Sequence, residues 1–271
     1  MINNLVIGSS GFLGKRLCEF LREKNQNVIE FDIKNGENFD ARYQNLPLDN
    51  IDRVYFLAWD VGGSKYLYNS STQITQMEWN TQLMNNVFPQ LKEIPFVFIS
   101  SQLSEKIDTV YGVQKRMGEV WTKLCQHGVS VRLWNLYGYI EEFNEKSHVI
   151  SDFVFQAKKN GVIEMLTDGK EERQFIHIDD VCEALLKSFD IKDKTQTYDI
   201  TTTKWVSIYD VAKIIQKHTN CEIKIGDVVG ETVLIDNKTM VPNWSPKISI
   251  EDGLKNMIEK NNEVLNIIQN G

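Results

Sequence analysis

Residues 3–7 (NNLVI) run straight into Gly8-Ser9-Ser10-Gly11-Phe12-Leu13-Gly14, and a helical pattern follows at once. No other stretch limits the fold as much. A buried strand that must turn abruptly into a helix favours residues without a Cβ, and glycines stand here at G-x-x-G-x-x-G spacing. The helix that starts in the turn aims its unpaired N–H groups and positive dipole end back at the strand, which makes the turn a seat for a pyrophosphate. The surroundings strengthen the motif. Residues 28–32 read as the next strand, and that strand closes on an acid, Asp32.

The chain has 271 residues, enough for one large or two modest domains with a sizeable core. The formal net charge of −7 argues against nucleic acid or an anionic membrane surface as the partner. No apolar run reaches membrane-spanning length, and no basic, apolar leader opens the chain, so neither a membrane segment nor a signal peptide is expected. Cys18, Cys125, Cys182 and Cys221 lie far apart, without zinc spacing. Reduced thiols, a cytoplasmic location and no metal are the expectation.

Strands alternate with helices through the first half. Strand patterns cover 5–8, 28–32, 53–58, 96–100 and 129–133, with a short further strand near 38–40. Helical patterns cover 15–23, 74–91 and 111–127. This predicts an α/β fold, a doubly wound parallel sheet with right-handed crossovers. Ligands of such sheets sit at the carboxyl ends of the strands, and Gly8, Asp32, Ala58, Ser100, Ser101 and Asn135 all fall on that edge. Beyond Asn135 the pattern loosens. Helices are expected over 149–160, 179–189 and 207–218, the last capped by Ser207, with strands over 161–166 and 198–200 and a closing helix from about Ser249.

Chemistry points to particular side chains. A carboxylate at Asp32 can accept both hydroxyls of an adenosine ribose and repels a 2′-phosphate, which favours NAD over NADP. Tyr111 and Lys115, four apart, share one helix face. Val113, Met117, Val120, Trp121 and Leu124 form an apolar stripe nearly opposite, read here as the core side, so that Tyr111 and Lys115 face solvent or a cleft. A nearby ammonium lowers the cost of a phenolate, and Ser100-Ser101 ends the preceding strand with hydroxyls within reach of the same place. Ser101, Tyr111 and Lys115 together make a proton-handling site.

These features occur in an order that resembles the extended short-chain dehydrogenase/reductases, the NAD-dependent epimerase/dehydratase family. The resemblance runs through Gly8, Gly11 and Gly14, Leu57-Ala58, Asn80, Ser100-Ser101, Tyr111 with Lys115, and residues 132–138 (RLWNLYG). It continues through Asp168-Gly169, residues 173–181 (RQFIHIDDV) and 243–246 (NWSP). It implies a Rossmann-type NAD-binding domain over 1–135, with segments near 174–203 returning to it, and a smaller α/β substrate domain over 136–271. It implies that Gly8, Ser10, Gly11, Phe12, Leu13, Gly14, Asp32, Asp40, Ala41, Leu57, Ala58 and Lys115 hold NAD, Asp40 through the adenine amine. Ser101 and Tyr111 would be catalytic, Tyr111 as the general acid/base and Lys115 as the group that tunes it. Asn135 and Arg173 would meet the diphosphate of a nucleoside-diphosphate sugar. His177 would be structural, and Asp180 would brace the following helix. A homodimer through helices 74–91 and 111–127 is implied, although their apolar stripes can equally face the parent sheet.

The chain also departs from the family. Gln102-Leu103 stand where the family's 4,6-dehydratases carry an Asp-Glu pair, which argues against dehydration. Leu103 likewise occupies the place of a cysteine used by some epimerases. Gly62-Gly63 can widen the substrate cleft, the stretch between Ser101 and Tyr111 is short, Thr201-Thr202-Thr203 replaces a glycine-rich turn, and Trp59 replaces a small residue and is expected to serve ordinary packing. The expected activity is a nucleotide-sugar epimerase working at C4. The alternatives are an NAD(P)H-dependent 4-ketoreductase of a 4-keto-6-deoxy sugar and a non-catalytic NAD-binding regulator.

Overall fold

Short runs of apolar residues build a parallel sheet whose inner strands are buried on both faces. The structure, a computed structural model, describes residues 1–67, 69–139 and 148–270. Strand β1 (Asn3–Ile7) leads into helix α1 (Phe12–Glu23), then β2 (Asn27–Phe31) and β3 (Arg53–Phe56). Helices α2 (Ser64–Leu67) and α3 (Ser70–Gln90) precede β4 (Phe96–Ser101), and α4 (Val110–Leu124) precedes β5 (Gly128–Leu133). The remaining elements are β6 (Asn135–Tyr137), α5 (Val149–Asn160), β7 (Val162–Glu164), β8 (Glu172–His177), α6 (Ile178–Lys187) and β9 (Thr197–Ile200), followed by β10 (Trp205–Ser207), α7 (Ile208–Thr219), β11 (Glu222–Lys224) and α8 (Ile250–Asn270).

The main sheet has six strands in the order β2-β1-β3-β4-β5-β9 among the described residues. Every neighbouring pair is parallel. The order reverses between β1 and β3, so the crevice at their carboxyl ends is the place where this topology receives a ligand. β9 joins this sheet beside β5 although it comes late in the chain. Two smaller sheets, β10-β8-β6 and β11-β7, lie in the second half. They pack with α5, α7 and α8 around Ile163, Phe175, Val211, Ile215 and Leu254.

Local chemistry explains the boundaries. Leu13, Leu17, Cys18 and Leu21 give α1 one buried stripe at helical spacing. Ser207 caps α7 by accepting the Asp210 N–H. His177 caps α6, its Nδ1 accepting from Asp179 N at 3.2 Å. Asp180 accepts from Lys247 N and Ile248 N at 3.0 and 2.9 Å, so it ties the approach to α8 onto the start of α6.

Two sequence expectations need correction, and one turn takes an unusual backbone. Residues 37–39 form a 3-10 turn rather than a strand, because Gly36 enters at φ 122° and the chain folds back on itself there. Thr203 takes φ 60° in the turn after β9, a conformation a β-branched residue rarely adopts. The turn is locked by Thr201, whose hydroxyl donates to Gln174 Oε1 at 2.7 Å and accepts from Thr203 N. The second correction is the larger. The buried face of α4 is Gly112, Gln114, Lys115, Gly118, Glu119 and Thr122, whereas Met117, Val120 and Leu124 of the apolar stripe are exposed. Trp121 is half-buried and stacks on Phe88. The reason is close approach: a Cβ at Gly118 would lie 2.3 Å from the Phe98 ring, and one at Gly112 would lie 2.0 Å from Lys106 O. The polar groups brought inside find partners, Gln114 with Asn80 and Glu119 with Arg132.

All four cysteines are buried and free. Among the described residues no helix is long and apolar enough to cross a membrane, and no cluster of His, Cys, Asp and Glu is arranged to hold a metal.

Candidate active site

A cavity of about 1360 Å³ opens along the carboxyl ends of β1 to β5 and continues against the small sheets. Nearly every site residue expected from the sequence lines it: Gly8, Gly11, Phe12, Leu13, Gly14, Asp32, Asp40, Ala41, Leu57, Ala58, Ser101, Tyr111, Lys115, Asn135 and Arg173. Ser10 stands outside the lining and donates its backbone N–H to Asp32 Oδ2 at 3.0 Å.

The turn after β1 is packed too tightly for any side chain. A Cβ at Gly8 would sit 2.5 Å from Ala58 N, and one at Gly14 would sit 2.1 Å from Gly8 O. Gly8 also needs its positive φ of 92°. Gly11 is the N-cap of α1, with no capping side chain and no acid in the first turn, so the helix N–H groups are left to an anion in the cavity. Asp32 holds the loop, accepting from Ser10 N and from Lys34 N. Its remaining lone pairs suit ribose hydroxyls. A glycine cradle, a bare helix N-terminus and a strand-end carboxylate together fit a dinucleotide. Asp40, also on the lining, is paired within the protein. Both of its oxygens are engaged by Arg42, which holds the carboxyl below its ordinary range, and the same guanidinium lies 4.4 Å from the Trp79 ring centroid.

At the other side of β4 the proton-handling residues converge. The first two turns of α4 carry Tyr111 and Lys115, and β4 ends in Ser100-Ser101. Both serines line the cavity, but successive strand residues point to opposite faces and their hydroxyls take different partners. Ser100 donates to Glu119 Oε1 at 2.6 Å inside the protein. Ser101 lines the cavity, donates to Gln102 Oε1 and accepts from Leu103 N. Lys115 is buried; its Nζ donates to Ile99 O at 2.7 Å and lies 5.8 Å from the Tyr111 ring centroid. Burial pushes the Lys115 pKa well below its ordinary value, and the charge of Glu119 one turn on opposes that shift.

In the second half, Asn135 donates to Gln174 O, and Arg173 donates to the carbonyls of Glu172 and Glu231. Arg173 therefore rests on backbone carbonyls at the cavity edge. The chain around residues 226–238 is laced to β8 by Glu172 N to Thr232 and by the Gln174–Asn237 amide pair. It contributes Val233 and Ile235 to the lining.

Two features of the site escaped the sequence. Glu119 lies four residues after Lys115, and its carboxylate collects Ser100, Ser104 and Arg132, so one buried network fixes the end of β4 beneath the site. The i, i+4 spacing from Lys115 was its available signal. Trp59 packs on Phe56 and Phe98 as expected, but its ring also carries the Lys115 ammonium at 4.0 Å.

A strand order that reverses over a glycine cradle, with serine, tyrosine and lysine on the same cavity, defines a dinucleotide-dependent oxidoreductase-type site. The model of the NAD dependent epimerase/dehydratase family matches residues 4–201, and the chain belongs to that family. NAD is the cofactor of the family, and the residues described above fit it. Among relatives, the chain is 29% identical to GDP-L-fucose synthase 1 of Arabidopsis thaliana over 87% of this chain and 76% of that protein. It is 24% identical to a putative UDP-glucose 4-epimerase of Methanocaldococcus jannaschii over 95% of this chain and 98% of that protein. Among solved structures, Bordetella bronchiseptica WbmF in complex with NAD+ superposes with a TM-score of 0.80 at 22% identity, covering 99% of this chain and 95% of the other.

Proposed function

We propose that the protein is an NAD-dependent epimerase of a nucleoside-diphosphate sugar, acting at C4. The observation that carries this reading is the convergence of Ser101, Tyr111 and Lys115 on the cavity that also contains the glycine cradle. The relatives named as a UDP-glucose 4-epimerase and a GDP-L-fucose synthase support a nucleotide sugar as substrate. Bound NAD supplies a reversible hydride acceptor. Tyr111 takes the proton of the sugar hydroxyl and later returns it, and Ser101 hydrogen-bonds the same oxygen. Lys115 keeps positive charge near the phenol, which favours the phenolate. Asn135 and Arg173 engage the diphosphate, the guanidinium with paired hydrogen bonds. Residues 1–135, with segments near 174–203 returning to them, hold the cofactor and 136–271 mainly the sugar nucleotide, and the enzyme works in the cytoplasm, in keeping with four free thiols.

The test is turnover of UDP- and dTDP-hexoses by the purified protein, with its cofactor state recorded. Interconversion of C4 epimers without net NADH consumption is expected. Stoichiometric consumption of NAD(P)H by a 4-keto sugar overturns the epimerase reading in favour of a reductase. Asp32 gives a second check. Asp32→Ala is expected to weaken NAD binding by about 10- to 100-fold, the range for losing hydrogen bonds to a charged group, and to narrow the gap to NADP. Calorimetry with both cofactors measures this, and an unchanged NAD affinity contradicts the assignment.

The outward stripe of α4, Met117, Val120 and Leu124, and the exposed Ile74 and Met77 of α3 support a homodimer through these two helices. Light scattering on the native chain is expected to give twice the 31.4 kDa protomer mass. Val120→Glu with Leu124→Glu is expected to give the protomer mass without loss of fold. A double variant that stays dimeric moves the interface elsewhere.

A further inference from the structure

The Trp59 ring and the Lys115 ammonium meet inside the cavity, and the encounter has a direction. Lys115 Nζ lies 4.0 Å from the indole centroid, closer than it lies to Phe98, at 5.2 Å, or to Tyr111, at 5.8 Å. An indole face attracts a cation more strongly than the other aromatic side chains do, and more so where water is excluded. The ring is also held in place. The backbone of the next residue, Asp60, is pinned by Asn80, which accepts from Asp60 N at 2.7 Å and donates to Asp60 O at 3.2 Å. Asn80 is braced in turn by Gln114 Oε1 at 3.0 Å. Phe56 and Phe98 pack on the indole with ring centroids 6.4 and 5.6 Å away. Trp59 Nε1 is buried with no hydrogen-bond partner among the described residues, so packing rather than a bond of its own sets the ring plane.

We propose that Trp59 is a positioning residue for Lys115. Its π face holds the ammonium charged and in register with Tyr111, and the face matters, not the bulk. The kinetic part of this inference rests on Tyr111 being the acid/base. The groups around the ammonium are few. On α4 they are Tyr111 and Glu119, on β4 the Ile99 carbonyl and the Phe98 ring, and from the segment after β3 the indole itself. Glu119 is already committed to Arg132. Burial alone drives Lys115 toward its neutral form, so an attractive face above it counts.

Trp59→Leu keeps an apolar body and removes the face. Lys115 then loses its proton at lower pH, and the phenolate of Tyr111 loses its neighbouring charge. The ascending limb of kcat/KM against pH is expected to move up by about one unit, with about a tenfold fall near neutral pH. Trp59→Phe, which keeps a face, is expected to recover most of the loss.

A readout independent of turnover is the indole 15N–1H spectrum of the full chain. The Trp59 signal, identified by its absence in Trp59→Phe, is expected to shift as Lys115 titrates and to stay still in Lys115→Met. A Trp59 signal that is flat with pH, an identical step in Lys115→Met, or a wild-type pH profile in Trp59→Leu overturns the pairing. If no sugar nucleotide is turned over while the Trp59 signal still follows Lys115, the proposed reaction fails and the pairing stands.

Discussion

Tyr111→Phe is expected to lower kcat for sugar-nucleotide turnover by about 10²- to 10⁴-fold, the range supplied by a positioned acid or base. The variant removes one hydroxyl from a half-buried ring at the cavity wall and leaves the cradle around Gly8, Gly11 and Gly14 untouched. NAD affinity is therefore expected to stay within about twofold, and KM is expected to change less than kcat, because the proton is transferred in the transition state rather than in the ground state. Steady-state kinetics together with calorimetric NAD binding separate the two effects. A variant with near-native kcat rejects Tyr111 as the acid/base, and one that has lost NAD binding points to a structural role.

The second large effect concerns stability. Glu119→Leu is expected to cost about 3–5 kcal/mol, the penalty for stranding one partner of a buried ion pair. Glu119 Oε1 accepts from Arg132 Nε at 2.7 Å, Ser100 Oγ at 2.6 Å and Ser104 Oγ at 2.7 Å, and Oε2 accepts from Arg132 Nη2 at 2.9 Å. Without the carboxylate, Arg132 keeps its hydrogen bond to Glu105, and two serine hydroxyls lose their acceptor. Burial raises the Glu119 pKa, but the hydrogen bonds and charge of Arg132 outweigh it, and the net shift is downward. The sign for stability follows. A carboxyl lowered by folding contributes stability above its unfolded pKa, and that contribution disappears as pH falls through the folded value. Denaturant melts should show the native chain losing stability toward acid, with Glu119→Leu flatter over the same window. Joint replacement, Glu119→Leu with Arg132→Met, is expected to recover much of the loss, because the Arg132 guanidinium is no longer stranded. A double variant as unstable as the single one contradicts that account.

The parts of the fold legible in the sequence are those in which the backbone itself imposes a residue type. Gly8 and Gly14 are readable because a Cβ there would collide with Ala58 N and Gly8 O. Leu5 to Ile7 and Phe96 to Ile99 are readable because strands buried on both faces are continuously apolar. The strand expected near 38–40 is a 3-10 turn instead, because three residues carry too little periodicity to tell the two apart. Helix α4 misleads for a physical reason. Its inward side carries chemistry, so the residues there are small or polar, and binary patterning points the wrong way where function overrides packing. Asp40 and Arg42, two apart, were close enough in sequence to suggest their pairing. The approach of Trp59 to Lys115 had no local signal, since it depends on how the segment after β3 packs against α4.

The account turns on where the phenol of Tyr111 lies when both ligands are bound. A crystal structure of the full chain with NAD and a nucleoside-diphosphate hexose tests it most directly. Tyr111 Oη is expected within about 3 Å of the reacting sugar hydroxyl, with the nicotinamide against the same carbon. A complex in which the ring points away from the nicotinamide, with the sugar seated elsewhere, contradicts it.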